Sequence, residues 1–293
     1  NNDIYLSDVS VTDDVYETEN MFGGVKMTII EPEKNQTEGF MLVTENKKII
    51  MIDGGDQYDK DNVVKLIRQY KNEVDDWYIS HYHCDHVFAL IRILEEEDIF
   101  IKNLYYDFNV TEEILEKYGD EDNYLVARMK KAVGENRSKI GNVITPEKGN
   151  EFTTDGVKVK ILNNATFRAM ANMPNDSSIV FKVETPGKNI LFLGDLGAYG
   201  DALLKDEYFY NEIQDCEVVQ LGHHGQSGVS DKFYQSLPAM KVAIYCAPEW
   251  LFDCNSGKGV GSGSWLTLRT REIMRVLKIR KTCSLKYGRA ELG

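Results

Sequence analysis

Residues 80–86 read Ser-His-Tyr-His-Cys-Asp-His and follow directly on the apolar run Trp77–Ile79. Such a run predicts a buried strand, so the histidines come at a strand's carboxyl end, where α/β folds place their sites. In an extended backbone alternate side chains project to one side, which brings His81, His83 and Asp85 together. This density of imidazole and carboxylate groups predicts a metal site suited to zinc, with manganese or iron as alternatives.

All five histidines of the chain fall in two short segments. The first segment also contains His86, which opens the next helical pattern and turns back toward the same region. The second segment is His223-His224, which follows the predicted strand Glu217–Leu221. A buried imidazole cluster without a cation would be costly to desolvate, so a metal-free interpretation is disfavoured. Alternation aims Cys84 at the core, and we interpret it as a packing residue.

The remaining chain reads as two similar halves in which short strands are followed by helices. The predicted strands are Val25–Glu31, Phe40–Glu45, Lys48–Asp53, Trp77–Ile79, Phe100–Asp107, Val157–Leu162, Ser178–Glu184, Asn189–Leu193, Glu217–Leu221 and Lys241–Cys246. The predicted helices are Asn62–Tyr70, His86–Leu94 and two within Thr111–Gly134. This order predicts an α/β fold, a four-layer αββα sandwich of two mixed β-sheets with helices outside. The glycine-rich run Gly257–Ser264 matches no phosphate-binding spacing and predicts a flexible loop.

The predicted organisation is a polar extension over residues 1–20 and a single domain over 21–293, with halves at about 25–147 and 148–293. A formal net charge of −13 disfavours duplex nucleic acid as a partner and favours a compact substrate, although bound divalent ions would make a pocket locally positive. No run approaches the roughly 18 apolar residues of a membrane span. The start at Asn1 suits a removed signal peptide, but a shortened chain would look the same, so localisation stays open with an extracytoplasmic site slightly favoured. The sequence indicates no oligomeric state.

Four motifs in order resemble those of the metallo-β-lactamase-fold hydrolase superfamily. The first is the His-x-His-x-Asp-His segment of residues 81–86. The others are Asp53-Gly54-Gly55, which is similar to the family's early Asp motif, Leu193-Gly194-Asp195, which is similar to its bridging-aspartate motif, and Gly222-His223-His224-Gly225, which is similar to its late histidine motif. The resemblance extends over most of the chain and implies the same sandwich fold.

Carried over residue by residue, the resemblance implies a site for two adjacent divalent ions. The implied ligands are His81 and His83 for the first ion, Asp85, His86 and His223 for the second, and Asp195 as the bridge between them. Asp53 is implied to orient the histidines rather than to bind metal. Asp85 would also hold the attacking hydroxide and accept its proton. His224 would donate a proton to the leaving group or bind the oxyanion, and a structural role behind the ligands is the alternative.

One departure from the family pattern concerns the first ion. Many members supply a further histidine from a segment where this chain has none, between His86 and His223. That region holds Asn175–Val180, which resembles a motif of two subgroups, the hydrolase domains of DNA-uptake channel proteins and the phosphorylcholine esterases. Asn175 and Asp176 are therefore candidate weak ligands or substrate contacts, with a simple turn as the alternative.

The predicted function is that of a binuclear metal-dependent hydrolase, a phosphoesterase that cleaves a phosphodiester or phosphate ester by metal-bound hydroxide. Its substrate would be a small-molecule or cell-wall-derived ester. One alternative is hydrolysis of a lactone, thioester or β-lactam, and another is a non-catalytic metal-stabilised or redox module. Aromatic residues could line the pocket and suit a quaternary ammonium head, although burial in the core is their commoner fate. These aromatic candidates are Tyr105, Tyr106, Phe108, Trp250, Phe252 and Trp265.

Overall fold

The computed structural model describes residues 20–168, 170–279, 281–286 and 290–292. The predicted extension therefore lies outside the described residues, apart from Asn20. In chain order the described strands are β1 Lys26–Ile29, β2 Gly39–Val43, β3 Ile49–Asp53, β4 Glu73–Tyr78, β5 Phe100–Tyr105, β6 Ile140–Ile144, β7 Glu151–Thr154, β8 Val157–Ile161, β9 Phe181–Glu184, β10 Asn189–Phe192, β11 Cys216–Gln220, β12 Val242–Tyr245, β13 Lys281–Ser284 and β14 Ala290–Leu292.

These strands form two mixed sheets of seven strands each. The first sheet has the order β14-β1-β2-β3-β4-β5-β6, and the second has the order β13-β12-β11-β10-β9-β8-β7. The first three strands, β1, β2 and β3, form an antiparallel meander, after which β3 to β6 pair in parallel.

The described helices are short, and the longest of them begins at Cys84, within the first histidine segment, so that Asp85 lies in its first turn rather than in the extended backbone that the alternation assumed. They are α1 Lys60–Arg68, α2 Cys84–Glu96, α3 Glu112–Tyr118, α4 Tyr124–Glu135, α5 Met173–Asp176, α6 Gly200–Leu203, α7 Glu207–Glu212, α8 Asp231–Gln235, α9 Glu249–Phe252 and α10 Thr267–Val276. None of the helices in the described ranges combines the length and the apolar character that crossing a bilayer requires.

Three buried apolar clusters define four layers. One cluster packs α1, α2 and α4 against the first sheet, with Trp77 at its centre. A second lies between the two sheets and includes Phe40 against Phe192, with ring centroids 4.7 Å apart. The third packs the second sheet against its own helices through residues such as Phe233 and Met274. The predicted αββα sandwich is confirmed.

Two features of the sheets differ from the predicted elements. Strand β4 begins at Glu73 rather than Trp77, although Asp75 and Asp76 are buried in it. Their charges are tolerated because Asp75 accepts hydrogen bonds from the Ile49 amide and from lysines, and Asp76 accepts them from the side chains of Asn103 and Tyr105. The C-terminal strand β14 joins the first sheet beside β1, so the second half of the chain returns a strand to the first.

The aromatic candidates for a pocket lining pack into these apolar clusters. Tyr105 stacks on Tyr78 between the sheets, with ring centroids 4.2 Å apart. The other five pack with the two outer clusters, and these are Tyr106, Phe108, Trp250, Phe252 and Trp265. The predicted loop Gly257–Ser264 is irregular and mostly exposed, and the side-chain oxygen of Asn255 accepts the amides of Gly257 and Gly259.

Candidate metal centre

The four motifs meet because each follows the carboxyl end of a strand. In the first sheet β3 ends at Asp53 and its parallel neighbour β4 leads to the histidine segment 80–86. In the second sheet β10 leads to Asp195 and its parallel neighbour β11 leads to His223. Carboxyl ends of neighbouring parallel strands lie at one sheet edge, and the two edges face each other across the sandwich.

Asp195 lies at the centre of the site, fully buried, and its two oxygens face different histidines. Around Oδ2 stand His81 Nε2 at 3.9 Å and His223 Nε2 at 3.6 Å. His83 belongs to the same side, because one donor atom each from His81, His83 and Asp195 lie within 4.8 Å of one another. We call His81, His83, His223 and this oxygen the first donor group.

Around Oδ1 of Asp195 stand His86 Nε2 at 3.1 Å and His224 Nε2 at 3.6 Å. Asp85 joins them, with its Oδ2 3.0 Å from His224 Nε2. Glu38 contributes an oxygen within 4.8 Å of donor atoms of His86, His224 and Asp195. We call Asp85, His86, His224, Glu38 and Oδ1 of Asp195 the second donor group.

Each of the five histidines has one ring nitrogen anchored by a hydrogen-bond partner outside the centre. The anchoring pairs are His81 Nδ1 with Ser80 Oγ at 3.0 Å, His83 Nε2 with Asp120 Oδ2 at 2.8 Å, His86 Nδ1 with Asp53 Oδ2 at 2.8 Å, His223 Nδ1 with Ser227 Oγ at 2.9 Å and His224 Nδ1 with the Cys246 carbonyl at 3.0 Å. Outer partners of this kind fix the ring and the tautomer of metal-binding histidines.

The inward atoms are buried and lack hydrogen bonds among the described residues. They are His81 Nε2, His86 Nε2, His224 Nε2 and both carboxylate oxygens of Asp195. Unpaired polar atoms are rare in protein interiors because each costs about 1–3 kcal/mol of desolvation. Here the unpaired atoms converge on one point and consist of imidazole nitrogen and carboxylate oxygen, which is the donor set of a zinc-type cation.

The pKa values of the most deeply buried histidines shift in opposite directions. Burial lowers the pKa of His81 well below its usual range, which leaves that imidazole neutral and ready to bind a cation. Burial also opposes charge on His86 and His224, but the carboxylates of Asp195 and Asp85 outweigh it. They raise the pKa of His86 well above its usual range and that of His224 to about 9. A cation entering the second donor group would therefore displace protons.

An unusual backbone conformation sets the directions of the His223 and His224 side chains. His223 and His224 both have positive φ, 51° and 56°, and Gly225 follows at 80°. Non-glycine residues in this region are strained, and such strain persists where the surroundings enforce it. The turn sends adjacent side chains to opposite sides of Asp195. Gly225 also packs against the Tyr245 ring so closely that a Cβ there would lie 2.3 Å from Cδ1.

Residues 24–229 match the sequence profile of the family described as "Anti-Pycsar protein Apyc1". The chain belongs to this Apyc1 family. The matched range contains every member of both donor groups. No curated protein matches the sequence significantly.

Solved structures place the Apyc1-family chain in the metallo-β-lactamase fold. The YhfI protein of Bacillus subtilis, described as a metallo-β-lactamase fold protein, is 11% identical with a TM-score of 0.54, and the match covers 91% of this chain and 99% of that one. Unliganded yeast PDE1 is 14% identical with a TM-score of 0.56, and the match covers 92% of this chain and 99% of that one. The broad resemblance is confirmed, whereas the finer one to DNA-uptake and phosphorylcholine-esterase subgroups is not confirmed.

In this Apyc1-family chain the histidine pair is arranged differently from what the motifs imply. His223 lies on the side of His81, at Oδ2 of Asp195, rather than with Asp85 and His86. His224 lies among the second donor group rather than behind it. The segment after β11 thus places one imidazole on each side of Asp195. One of them, His223, lies on the side of the first ion, where many family members have a further histidine that this sequence lacks.

Asn175 and Asp176 lie in α5 and have different surroundings. Asp176 Oδ1 accepts the amides of Gly197 and Tyr199, each at 3.0 Å, so it holds the loop after Asp195, and it belongs to neither donor group. The Asn175 side-chain oxygen is buried without a hydrogen-bond partner among the described residues. Asp53 accepts the Ser80 amide at 2.7 Å as well as bonding to His86.

The sequence argument missed Glu38 and Asp120. Glu38 had a usable signal, because β2 runs antiparallel to β3 with Gly39 opposite Asp53, so the residue before β2 must lie at the same edge. Its burial raises its pKa to about 8. Asp120 caps a short turn 37 residues beyond His83, inside a charged helical segment that gave no signal.

Proposed function

We propose that this chain is a binuclear metal-dependent hydrolase that cleaves a phosphodiester or phosphate ester. The observation that carries the proposal is the arrangement of five anchored imidazoles around both oxygens of one buried aspartate. We assign one divalent ion to each donor group, with Asp195 as the bridge and zinc as the favoured metal. Manganese and iron remain alternatives, since imidazole and carboxylate also suit them.

A bound pair of divalent ions would supply an activated water at neutral pH and would neutralise charge on the phosphoryl group. The chain's own part begins with Asp85. Burial would raise its pKa, but His86 and His224 outweigh burial and hold its pKa well below the usual range, so the carboxylate stays ionised. It also accepts a hydrogen bond from Gln36 Nε2 at 2.7 Å, which fixes its orientation. An ionised, oriented Asp85 suits a ligand that accepts a hydrogen bond from the attacking water.

Asp53 and Asp120 orient the histidines that hold the ions. Asp53 joins both sides of the centre through Ser80, whose hydroxyl lies 2.7 Å from its Oδ2 and 3.0 Å from His81 Nδ1. Asn175 is a candidate substrate contact, because its buried side-chain oxygen has no other described partner.

The charge of the site favours phosphoester chemistry over carbonyl chemistry. A cationic pair in a chain of net charge −13 would give a local positive site that attracts a compact phosphate ester, while the surface repels larger polyanions. The family description, an anti-Pycsar protein, denotes an antagonist, which fits a hydrolase of either kind that destroys a small molecule.

The test is metal analysis of the purified protein followed by assays with bis(p-nitrophenyl) phosphate, a lactone and a thioester. We expect about two metal ions per chain, phosphodiester hydrolysis that stops on chelation and returns with zinc or manganese, and loss of this activity in His83→Ala with the fold retained. Failure to bind metal would refute the centre. Turnover of the lactone or thioester alone would move the function to carbonyl hydrolysis, and metal without turnover would indicate a non-catalytic module.

A further inference from the structure

Gln220, the last residue of β11, is a fully buried polar side chain at the end of the space between the two sheets. Side chains alternate along β11, so Gln220 shares a face with Val218, which packs between the sheets, while Val219 packs against the outer helices. A buried amide is costly unless its nitrogen and its oxygen both find hydrogen-bond partners. These partners therefore show what the Gln220 side chain holds in place.

The amide oxygen of Gln220 holds the turn that carries Asp195. Strands β10 and β11 pair in parallel as far as Phe192, which lies opposite Gln220, and the ladder ends there. The next two backbone amides both donate to Gln220 Oε1, at 2.6 Å from Leu193 and 2.9 Å from Gly194. Gly194 has a φ of 54° and directly precedes Asp195. The two hydrogen bonds thus fix the backbone from which the Asp195 side chain enters the centre.

The amide nitrogen of Gln220 reaches the other sheet. Three acceptors share the hydrogens of Nε2, namely Glu38 Oε2 at 2.9 Å and the carbonyls of Leu221 at 2.7 Å and Gly194 at 3.1 Å. The Gly194 carbonyl also accepts the His223 amide at 3.0 Å. The orientation of the Gln220 amide is fixed, because the opposite one would set its NH₂ group against two backbone amides that also donate.

We propose, on the basis of the proposed function, that Gln220 is a positioning residue of the metal centre. Its single amide group ties the turn before Asp195 to the carboxyl group of Glu38, which comes from the opposite sheet. Both carboxyl groups belong to the second donor group. The amide therefore sets their separation before an ion binds, and it acts through them rather than on the ion or the substrate.

The experiment measures the zinc affinity of the metal-stripped protein by competition with a chromophoric chelator, a readout that requires no turnover. Gln220→Met keeps the length of the side chain but removes its hydrogen-bond donor and its acceptor. We expect the dissociation constant of the more tightly bound zinc ion to rise by about 10–100-fold, as for other residues that orient metal ligands.

Asn163→Leu is the matched control. Asn163 is also a buried amide beyond the end of a strand, but its Oδ1 accepts the Val180 amide at 2.7 Å and its Nδ2 donates to the Ser178 carbonyl at 2.9 Å. Both variants should unfold at a lower temperature than the unmodified protein when metal-free. Only Gln220→Met should lose zinc affinity, and Asn163→Leu should stay within about twofold. Equal losses of affinity in both would overturn the positioning role.

A double variant tests whether Gln220 acts through Glu38. Glu38→Ala removes the carboxyl group that Gln220 holds, so Gln220→Met should weaken zinc binding less in this background than alone. A fully additive loss would overturn the link between the two residues. If Gln220→Met does not fold, Gln220→Asn replaces it, because its amide is shorter by a methylene group and cannot reach both partners.

The outcomes separate this assignment from the proposed function. Unchanged zinc affinity in the Gln220 variants, with zinc bound by the unmodified protein, would overturn the role of Gln220 alone. Failure of the unmodified protein to bind zinc, manganese or iron would overturn the proposed function, and the role of Gln220 with it.

Discussion

The first and second donor groups share Asp195 but differ in access to solvent and in charge. In the first group the side chains of His83 and His223 are 14% and 20% exposed, whereas those of His86 and His224 in the second are fully buried. The first group offers three imidazoles and one carboxylate oxygen, while the second offers two imidazoles, the other oxygen of Asp195 and the carboxyl groups of Asp85 and Glu38. If the proposed function holds, the comparison predicts a tightly held ion on the buried side and a more open one on the exposed side.

The largest effect is expected from Asp195→Asn, which removes the one group common to both sides. Activity should fall by more than the roughly 100-fold that loss of an outer partner costs, and metal content should fall on both sides. Metal analysis and turnover of a phosphodiester measure this. Asp76→Asn is the control, because Asp76 is a buried aspartate outside both donor groups. This variant should retain the metal content of the unmodified protein. A full metal complement in Asp195→Asn would refute the bridging assignment.

His224→Ala and His223→Ala separate the two groups. We expect His224→Ala to lose the buried ion and His223→Ala to lose or weaken only the exposed one, with the larger loss of activity in His224→Ala. The physical reason is that the position of the His224 ring is closed to solvent, so water cannot replace the lost imidazole there. Water can reach the position of His223. Metal stoichiometry by titration distinguishes the variants. Loss of the same ion in both would show that the pair does not divide across Asp195.

Asp53→Asn and Asp120→Asn test the outer partners of the two groups. Each should reduce metal affinity or activity by about 10–100-fold, because each removes the carboxylate that orients one histidine. Asp53 should have the larger effect, since it contacts both His86 and Ser80 and is fully buried. Metal-binding isotherms of the two variants provide the comparison, and an equal or reversed order would contradict it.

Gly225→Ala should have the smallest effect on the chemistry and a measurable one on stability. A positive φ costs an alanine about 1–2 kcal/mol, and the contact with Tyr245 should add about 1–3 kcal/mol. Gly149→Ala is the matched control, with φ of 87° and open space around its Cβ. Denaturant unfolding of both variants measures the difference. Equal losses would show that Tyr245 does not hold the histidine turn.

The sequence by itself determined the fold class and the members of the first histidine segment. Alternation over a few extended residues accounts for the shared direction of His81 and His83. It was wrong for Asp85, which lies in the first turn of α2 and joins the second donor group instead. The placement of Asp195 and His223 at strand ends also followed, because each comes directly after a predicted strand, and the structure shows that these two strands are parallel neighbours. The role of Asn175 as a weak ligand or substrate contact stays a prediction.

Only the tertiary structure decided which histidine lies on which side of Asp195, because the side-chain directions in this turn depend on two adjacent positive φ angles that the sequence pattern does not predict. It also decided that Asp120 anchors His83 and that the carboxyl group of Glu38, which the strand order already puts near this sheet edge, enters the centre. Glu38 is bonded to Gln220, which is 182 residues away along the chain, at 2.9 Å. Backbone periodicity fixes directions within one segment, whereas contacts over such separations depend on how the layers pack.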